Sequence, residues 1–313
     1  MKSPDETRIV MVGSSNVDLI AYVPRLPAAG ETLHGSRFAT GCGGKGANQA
    51  VMAARLGATV HPVTVLGDDV FGPTTRQNYV DQGCDPTHIH VAEDTASGVA
   101  PINVDTETGE NSIVIVNGAN DLLDPAKVQQ AKADIEAADA VICQLETPIP
   151  ATVEAFTIAR AAGVRTILNP APAPPTGELP AELLAVTDVL IPNEPEAAML
   201  TGLPVGTDDE VVAAGRALQG RGPTLIVLTL GGRGSLVLDG DADPQLVAAD
   251  RVEPVDTVGA GDCFVGSFAV LLAGHPPAEA ARLAGKLATR SVLRQGTQTS
   301  FPTREECRAV LAG

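Results

Sequence analysis

Apolar runs of strand length alternate with stretches of helical period along most of this chain. Arg8–Val12 reads as a strand and leads into a polar turn at Gly13–Asp18. Ala47–Leu56 carries a helical pattern closed by Gly57, the residue type that favours a helix C-terminus. Thr59–Leu66 is strand-like, Ala126–Ala138 helical, and Ala140–Leu145 a buried strand. Ala151–Ala162 is a helix stopped by Gly163, followed by a strand at Arg165–Leu168. Val189–Pro192 is a short strand, Glu196–Leu200 opens a short helix, and Val211–Gln219 is a helix closed by Gly220. Leu225–Leu230 and Ser235–Leu238 are strands joined by the tight turn Gly231–Gly234, and Ala260–Ala273 and Ala278–Leu293 are two further helices. Strands that are apolar throughout, alternating with helices, predict an α/β fold: three layers, with a mostly parallel central sheet covered by helices on both faces.

Two segments break that rhythm. Glu31–Thr40 is extended and of mixed polarity. Val99–Val116 alternates at Ile102/Val104 and Ile113/Ile115 about a Thr-Glu-Thr-Gly turn, which predicts a hairpin. These segments predict a small β appendage over one end of the sheet, from about 15–40 and 97–117, within a single domain spanning 1–313. Such an appendage suits a lid, and its edge strands invite pairing with a second subunit. An ordinary surface hairpin would give the same pattern.

The chain has 313 residues, 44% of them hydrophobic, enough for a large core. Its formal net charge of -17, with no Lys/Arg cluster, argues against nucleic acid or an anionic membrane as the main partner. A nucleotide substrate stays open, because backbone amides and bound cations hold phosphate without net basic charge. Five scattered cysteines form no CxxC pair, a pattern that suits a reducing cytoplasm. No segment approaches the roughly 20 apolar residues of a membrane span.

Three glycine-rich segments carry the candidate chemistry. Gly41–Asn48 contains G-x-G-x-x-G, with Asp68 about twenty residues on, as in a dinucleotide fingerprint. Glu31–Thr40 before it is not an apolar strand, however, and Lys45 is followed by glycine rather than Ser/Thr, so it is no Walker loop. Contact with a polar substrate fits better: Gly43 and Gly44 permit close approach, while Lys45 and Asn48 offer hydrogen bonds. A sugar needs several such groups. Asn16 and Asp18 supply one pair and Glu146 another, all near C-terminal strand ends, although Asn16 and Asp18 could equally cap a turn.

The second segment, Asp256–Asp262, runs into an apolar helix through small residues, a helix start suited to an anion. Asp262 is either a capping carboxylate or a base poised beside a phosphoryl group. The third, Thr229–Gly234, is a hairpin turn or a backbone contact to a nucleotide.

In order along the chain, GSSNVD, GGKGAN, QLE, NPAPAP, PNEPEAAMLTG, LTLGGRG and DTVGAGD resemble the ribokinase-like (PfkB) family of carbohydrate kinases, and the resemblance covers essentially the whole length. It implies a nine-stranded core with a β lid that also forms a homodimer interface. It implies transfer of the ATP γ-phosphate to the 5-hydroxyl of D-ribose, or to deoxyribose, a ketohexose or a nucleoside. Asp262 would be the base and Gly259, Ala260 and Gly261 the anion hole. Sugar contacts would come from Asn16, Asp18, Gly44, Lys45, Asn48, Glu146 and Asp262. Asn193 and Glu196 would lie near the ATP phosphates and help hold Mg²⁺ through water, and Thr229, Gly231, Gly234 and Gly261 would line the nucleotide site. A monovalent activator, K⁺, would take oxygen ligands from Asp256, Thr257, Ser291, Arg294, Gly296 and Ser300, several of them backbone carbonyls.

Overall fold

The computed structural model describes residues 2–108 and 110–312. Among these, nine strands form one sheet. From edge to edge they run Gln245–Val247, Ser235–Asp239, Leu225–Thr229, Val189–Leu190, Arg165–Leu168, Ala140–Cys143, Arg8–Val12, Thr59–Gly67 and Ile89–Ala92. The strands from Leu225–Thr229 to Ile89–Ala92 are parallel, and the remaining two are added antiparallel at one edge.

Side chains of successive strand residues go to opposite faces, and both faces are buried. Ile9, Met11, Leu225 and Val227 join one core with Val51, Phe268 and Leu287 from helices Lys45–Leu56, Ala260–Leu271 and Pro277–Ser291. Val10, Val12, Ile226 and Leu228 join the other with Phe156 and Leu218 from helices Ile149–Ala161 and Asp208–Gln219. Two buried faces explain why these strands are mostly apolar on both sides, with polar residues such as Arg8, Arg165 and Thr229 near their ends.

A second sheet of four strands is ordered Arg37–Gly43, Asn16–Val23, Gly98–Asp105, Asn111–Ile113. It is mixed: two antiparallel pairs flank a parallel pair between Asn16–Val23 and Gly98–Asp105. The expected hairpin is present, with Ile102 opposite Ile113 and a bridge from Val99 to Val116. Its turn residue Gly109 lies outside the described residues.

Several elements differ from the pattern reading. Gly13–Asp18 is not simply a turn, because a strand begins at Asn16. Its polar residues Asn16 and Asp18 hid it, and they are buried for other reasons. Within Glu31–Thr40, strand pairing starts only at Arg37. The helix expected over Ala126–Ala138 is two helices, Pro125–Gln130 and Lys132–Glu136. At Ala131 the N–H turns back to the Val128 carbonyl at 2.9 Å, a tighter turn that breaks the helical ladder. Helix Gly72–Asp81 carries little apolar periodicity, and it and the C-terminal helix Arg304–Ala312 were not anticipated.

The fold places two helix starts together. Helix Ala260–Leu271 crosses helix Lys45–Leu56 so closely that a Cβ on Gly266 would lie 2.4 Å from the Gln49 carbonyl oxygen. Only a residue without a side chain allows that approach. It brings Asn48 and Gln49 against the first turn of the second helix.

Candidate active site

Asp262 stands in that first turn and is 7% exposed. Both of its carboxylate oxygens are held. Asn48 Nδ2 donates to Oδ2 at 2.8 Å, and Gln49 Nε2 donates to Oδ1 at 3.0 Å. Gly259 is the N-cap. The Ala260 N–H makes a long 3.3 Å bond to the Thr257 carbonyl, and the Cys263 N–H returns to the Gly259 carbonyl. Gly261 is exposed at the helix start, so its N–H is the donor best placed for an anion.

The expected sugar-contact residues form one connected group beside Asp262. Gly44 has φ 89° and packs so that a Cβ would sit 2.7 Å from the Asn16 nitrogen. Gly43 lies against the Asp18 carboxylate with similar closeness. Glu146 follows strand Ala140–Cys143 by three residues, and its Oε2 accepts from Ser14 Oγ at 2.6 Å and from the Lys45 N–H at 3.0 Å. Asn16 Oδ1 accepts from Asn120 Nδ2 at 2.7 Å.

A cleft runs on from this group and is lined by Lys45, Asn169, Asn193, Glu196, Thr229, Gly259, Gly261 and Asp262. Asn193 caps helix Glu194–Thr201 reciprocally with Glu196: Asn193 Oδ1 accepts from the Glu196 N–H at 2.8 Å, and Glu196 Oε2 accepts from the Asn193 N–H at 2.9 Å. The strand bridge from Asn193 to Thr229 sets these two side by side. Gly231 and Gly234 are not in the lining. Gly231 faces open space, whereas Gly234 is packed against the Val247 carbonyl. The Gly41–Gly46 pattern leads out of the small sheet rather than a parallel core strand, so no βαβ unit supports the dinucleotide alternative.

Asp256, Thr257, Ser291, Arg294, Gly296 and Ser300 come from two neighbouring loops and a helix end. Asp256 accepts from the Val258 N–H at 3.0 Å and, across to the other loop, from the Gly296 N–H at 2.9 Å. Ser291 and Ser300 are buried and donate to the Ala288 and Thr297 carbonyls. The Arg294 guanidinium turns away to pair with Glu306.

Comparison with known proteins agrees with this arrangement. The model of the pfkB family of carbohydrate kinases matches residues 6–304. The chain belongs to the pfkB family of carbohydrate kinases. It is 40% identical to the deoxyribokinase of Salmonella typhimurium over 95% of this chain and 96% of that one. It is 39% identical to mouse ribokinase over 95% and 93%. The structure of Arabidopsis thaliana ribokinase complexed with ribose and ATP superposes with a TM-score of 0.91, at 30% identity, over 98% of this chain and 99% of that one.

As a pfkB carbohydrate kinase the protein is a phosphotransferase with an alcohol acceptor. Its fold is the one expected, a three-layer α/β/α core with a small additional sheet. The sequence reading missed Ser14, Gln49, Asn120, Asn169 and Thr297, which bond to or lie beside the candidate residues. Ser14 and Asn169 sit inside the motifs GSSNVD and NPAPAP, and Gln49 directly follows GGKGAN; Asn120 and Thr297 reach the kinase cleft only through tertiary contact.

The cleft concentrates like charge. Burial, and then the neighbouring Glu146 and Asp262, raise Asp18 from an ordinary 3.8 to about 6, against a lowering hydrogen bond from Thr297. Burial also raises Glu196. For Lys45, burial works against the ammonium, but Asp262, Glu146 and Glu196 outweigh it and the pKa rises. Because the folded pKa of Asp18 exceeds its unfolded value, the native state binds more protons between the two, and stability falls as pH rises from about 4 to about 6. Asp18→Asn removes this penalty. It should melt about 2–5 °C above the parent at pH 7.5 and converge with it near pH 4. Thermal melts across that range check this; a parallel offset at every pH would contradict it.

Proposed function

We propose that this pfkB kinase phosphorylates the 5-hydroxyl of D-ribose with ATP, and that Asp262 takes the hydroxyl proton. The observation that carries the reading is the position of Asp262, between the connected sugar-facing group and the cleft that passes Gly261, Asn193 and Thr229. A hydroxyl beside Asp262 gives up its proton to the carboxylate as its oxygen bonds to the γ-phosphorus and the bond to ADP breaks. Gly261, with the first turn around it, stabilises charge on the phosphoryl oxygens. Asp18, Asn16, Lys45, Asn48 and Glu146 hold the other hydroxyls, and Gly44, with its positive φ, lets the chain pass close to Asn16 beside them. In this reading the small sheet would cover the sugar as a lid.

Deoxyribose is the second reading, favoured by the 40% identity to a deoxyribokinase, beside the 39% shared with mouse ribokinase. An ADP-release assay should give ribose the higher kcat/KM. A tenfold preference for deoxyribose would overturn that assignment. In the same assay Asp262→Asn should lower kcat by about 10²–10⁴-fold with sugar binding retained; near-parental turnover would remove Asp262 from the chemistry.

Two cation roles fit the residues present. Mg²⁺ arriving with ATP neutralises phosphate charge. The capping bonds of Asn193 and Glu196 occupy one oxygen of each, which suits contact through water. The Asp256 loop and the 294–300 loop offer an all-oxygen donor set: Asp256, the Ser291 and Ser300 hydroxyls, and carbonyls including those of Thr257, Arg294 and Gly296. Hard oxygen donors suit an alkali cation such as K⁺, and its charge would steady the loop that leads into Gly259. Replacing Na⁺ by K⁺ should raise kcat severalfold. Equal rates in both salts would argue against the site.

Phe38, Ile113 and Ile115 are exposed on or beside the outer strands of the small sheet, which fits a homodimer formed through it. Sedimentation at micromolar concentration should show a dimer, and a monomer throughout would exclude it. Five unpaired cysteines fit a reducing, cytoplasmic setting. Among the described residues no helix is long and apolar enough to cross a membrane.

A further inference from the structure

The two carboxamides that hold Asp262 are themselves held from behind. A carboxamide has nearly the same shape when turned end for end, but one end donates and the other accepts. Turned over, Gln49 would present its carbonyl to Asp262 Oδ1 and to Asn169 Oδ1, setting acceptor against acceptor. Asn169 cannot adapt, because its Nδ2 is committed to the Ile191 carbonyl at 2.8 Å. The same donating orientation is locked from the other end of Gln49, where Gln144 Nε2 donates to Oε1 at 2.6 Å.

Asn48 has the same arrangement. Gln298 Nε2 donates to Asn48 Oδ1 at 3.0 Å, leaving Nδ2 for Asp262. Gln298 is oriented in turn by Asn78 Nδ2, which donates to its Oε1 at 2.9 Å. These outer residues come from separate parts of the chain: the end of a core strand, the loop before the C-terminal helix, and helix Gly72–Asp81.

Gln144 carries two further signs of a task. It is fully buried, yet its Oε1 has no hydrogen-bond partner, a cost that an apolar residue of similar size would avoid. Its room comes from Gly13, where a Cβ would lie 2.0 Å from that same oxygen. We propose that Gln144 and Gln298 are positioning residues that fix the orientation of Gln49 and Asn48, so that N–H groups and not carbonyls face the two oxygens of Asp262. The proposal rests on Asp262 being the base.

The test compares methionine and glutamate at each position, assayed with ATP and the preferred sugar beside the parent enzyme and Asp262→Asn. Methionine keeps length and removes the donor. An ionised glutamate offers only acceptors, so it repels the neighbouring carbonyl and opposes the orientation in which the carboxamide gives its N–H to Asp262. Gln144→Met should lower kcat about tenfold and Gln144→Glu about a hundredfold, the scale on which misplaced groups act. KM for sugar and ATP should stay within about twofold at position 144, because Gln49 is not a sugar contact. At position 298 the same order in kcat should appear together with a raised sugar KM, because Asn48 serves both.

Rates are taken per folded enzyme from melts of each variant. If one position does not tolerate glutamate, the other decides, Gln298 being on a loop. The proposal is overturned if kcat stays within about twofold of the parent in the variants, or if methionine and glutamate are equally damaging. Failure of the base assignment is separate: it would appear as turnover in Asp262→Asn.

Discussion

Asp262 has no freedom to choose its orientation, and most of the architecture serves that restriction. Its carboxylate is pinned by Asn48 and Gln49, which lie on a different helix more than two hundred residues away in sequence. The pinning works only because the two helices touch backbone to backbone at Gly266 and Gln49. A methyl group there would separate them and lengthen both hydrogen bonds at once. The parallel sheet beneath fixes the helices through two continuous cores, so the precision of a pair of hydrogen bonds is underwritten by apolar packing on both faces.

Much of this was legible in the sequence, for a physical reason. Strands buried on both faces are apolar along their interior on both sides, and Arg8–Val12, Ala140–Cys143 and Leu225–Thr229 therefore announce themselves. Small residues before an apolar helix mark the start at Gly259. Asn16–Val23 was obscured because Asn16 and Asp18 are polar though buried, and polarity in that position reads as a loop. Helix Gly72–Asp81 buries few side chains and so writes little pattern. The carboxamides behind Asp262 were not legible as a set. Gln144 and Gln298 are single glutamines, and only the folding of distant segments together gives them partners.

Asp18 illustrates a tension between stability and use. Only a long hydrogen bond from Thr297 favours the carboxylate there; burial and the nearby Glu146 and Asp262 oppose its charge and outweigh it. A residue kept against its environment is expected where a ligand, not the fold, supplies the compensation. Hydroxyls of a bound sugar would donate to it and recover what burial took away.

The same crowding bears on how the donor substrate must arrive. Glu146, Glu196 and Asp262 all act on the ammonium of Lys45, and Asp18 is crowded by Glu146 and Asp262. A bare polyphosphate entering such a cavity would meet mostly its own sign. Electroneutrality would therefore favour a nucleotide already complexed with its counter-ions, a selection by net charge that would precede any contact with the base ring.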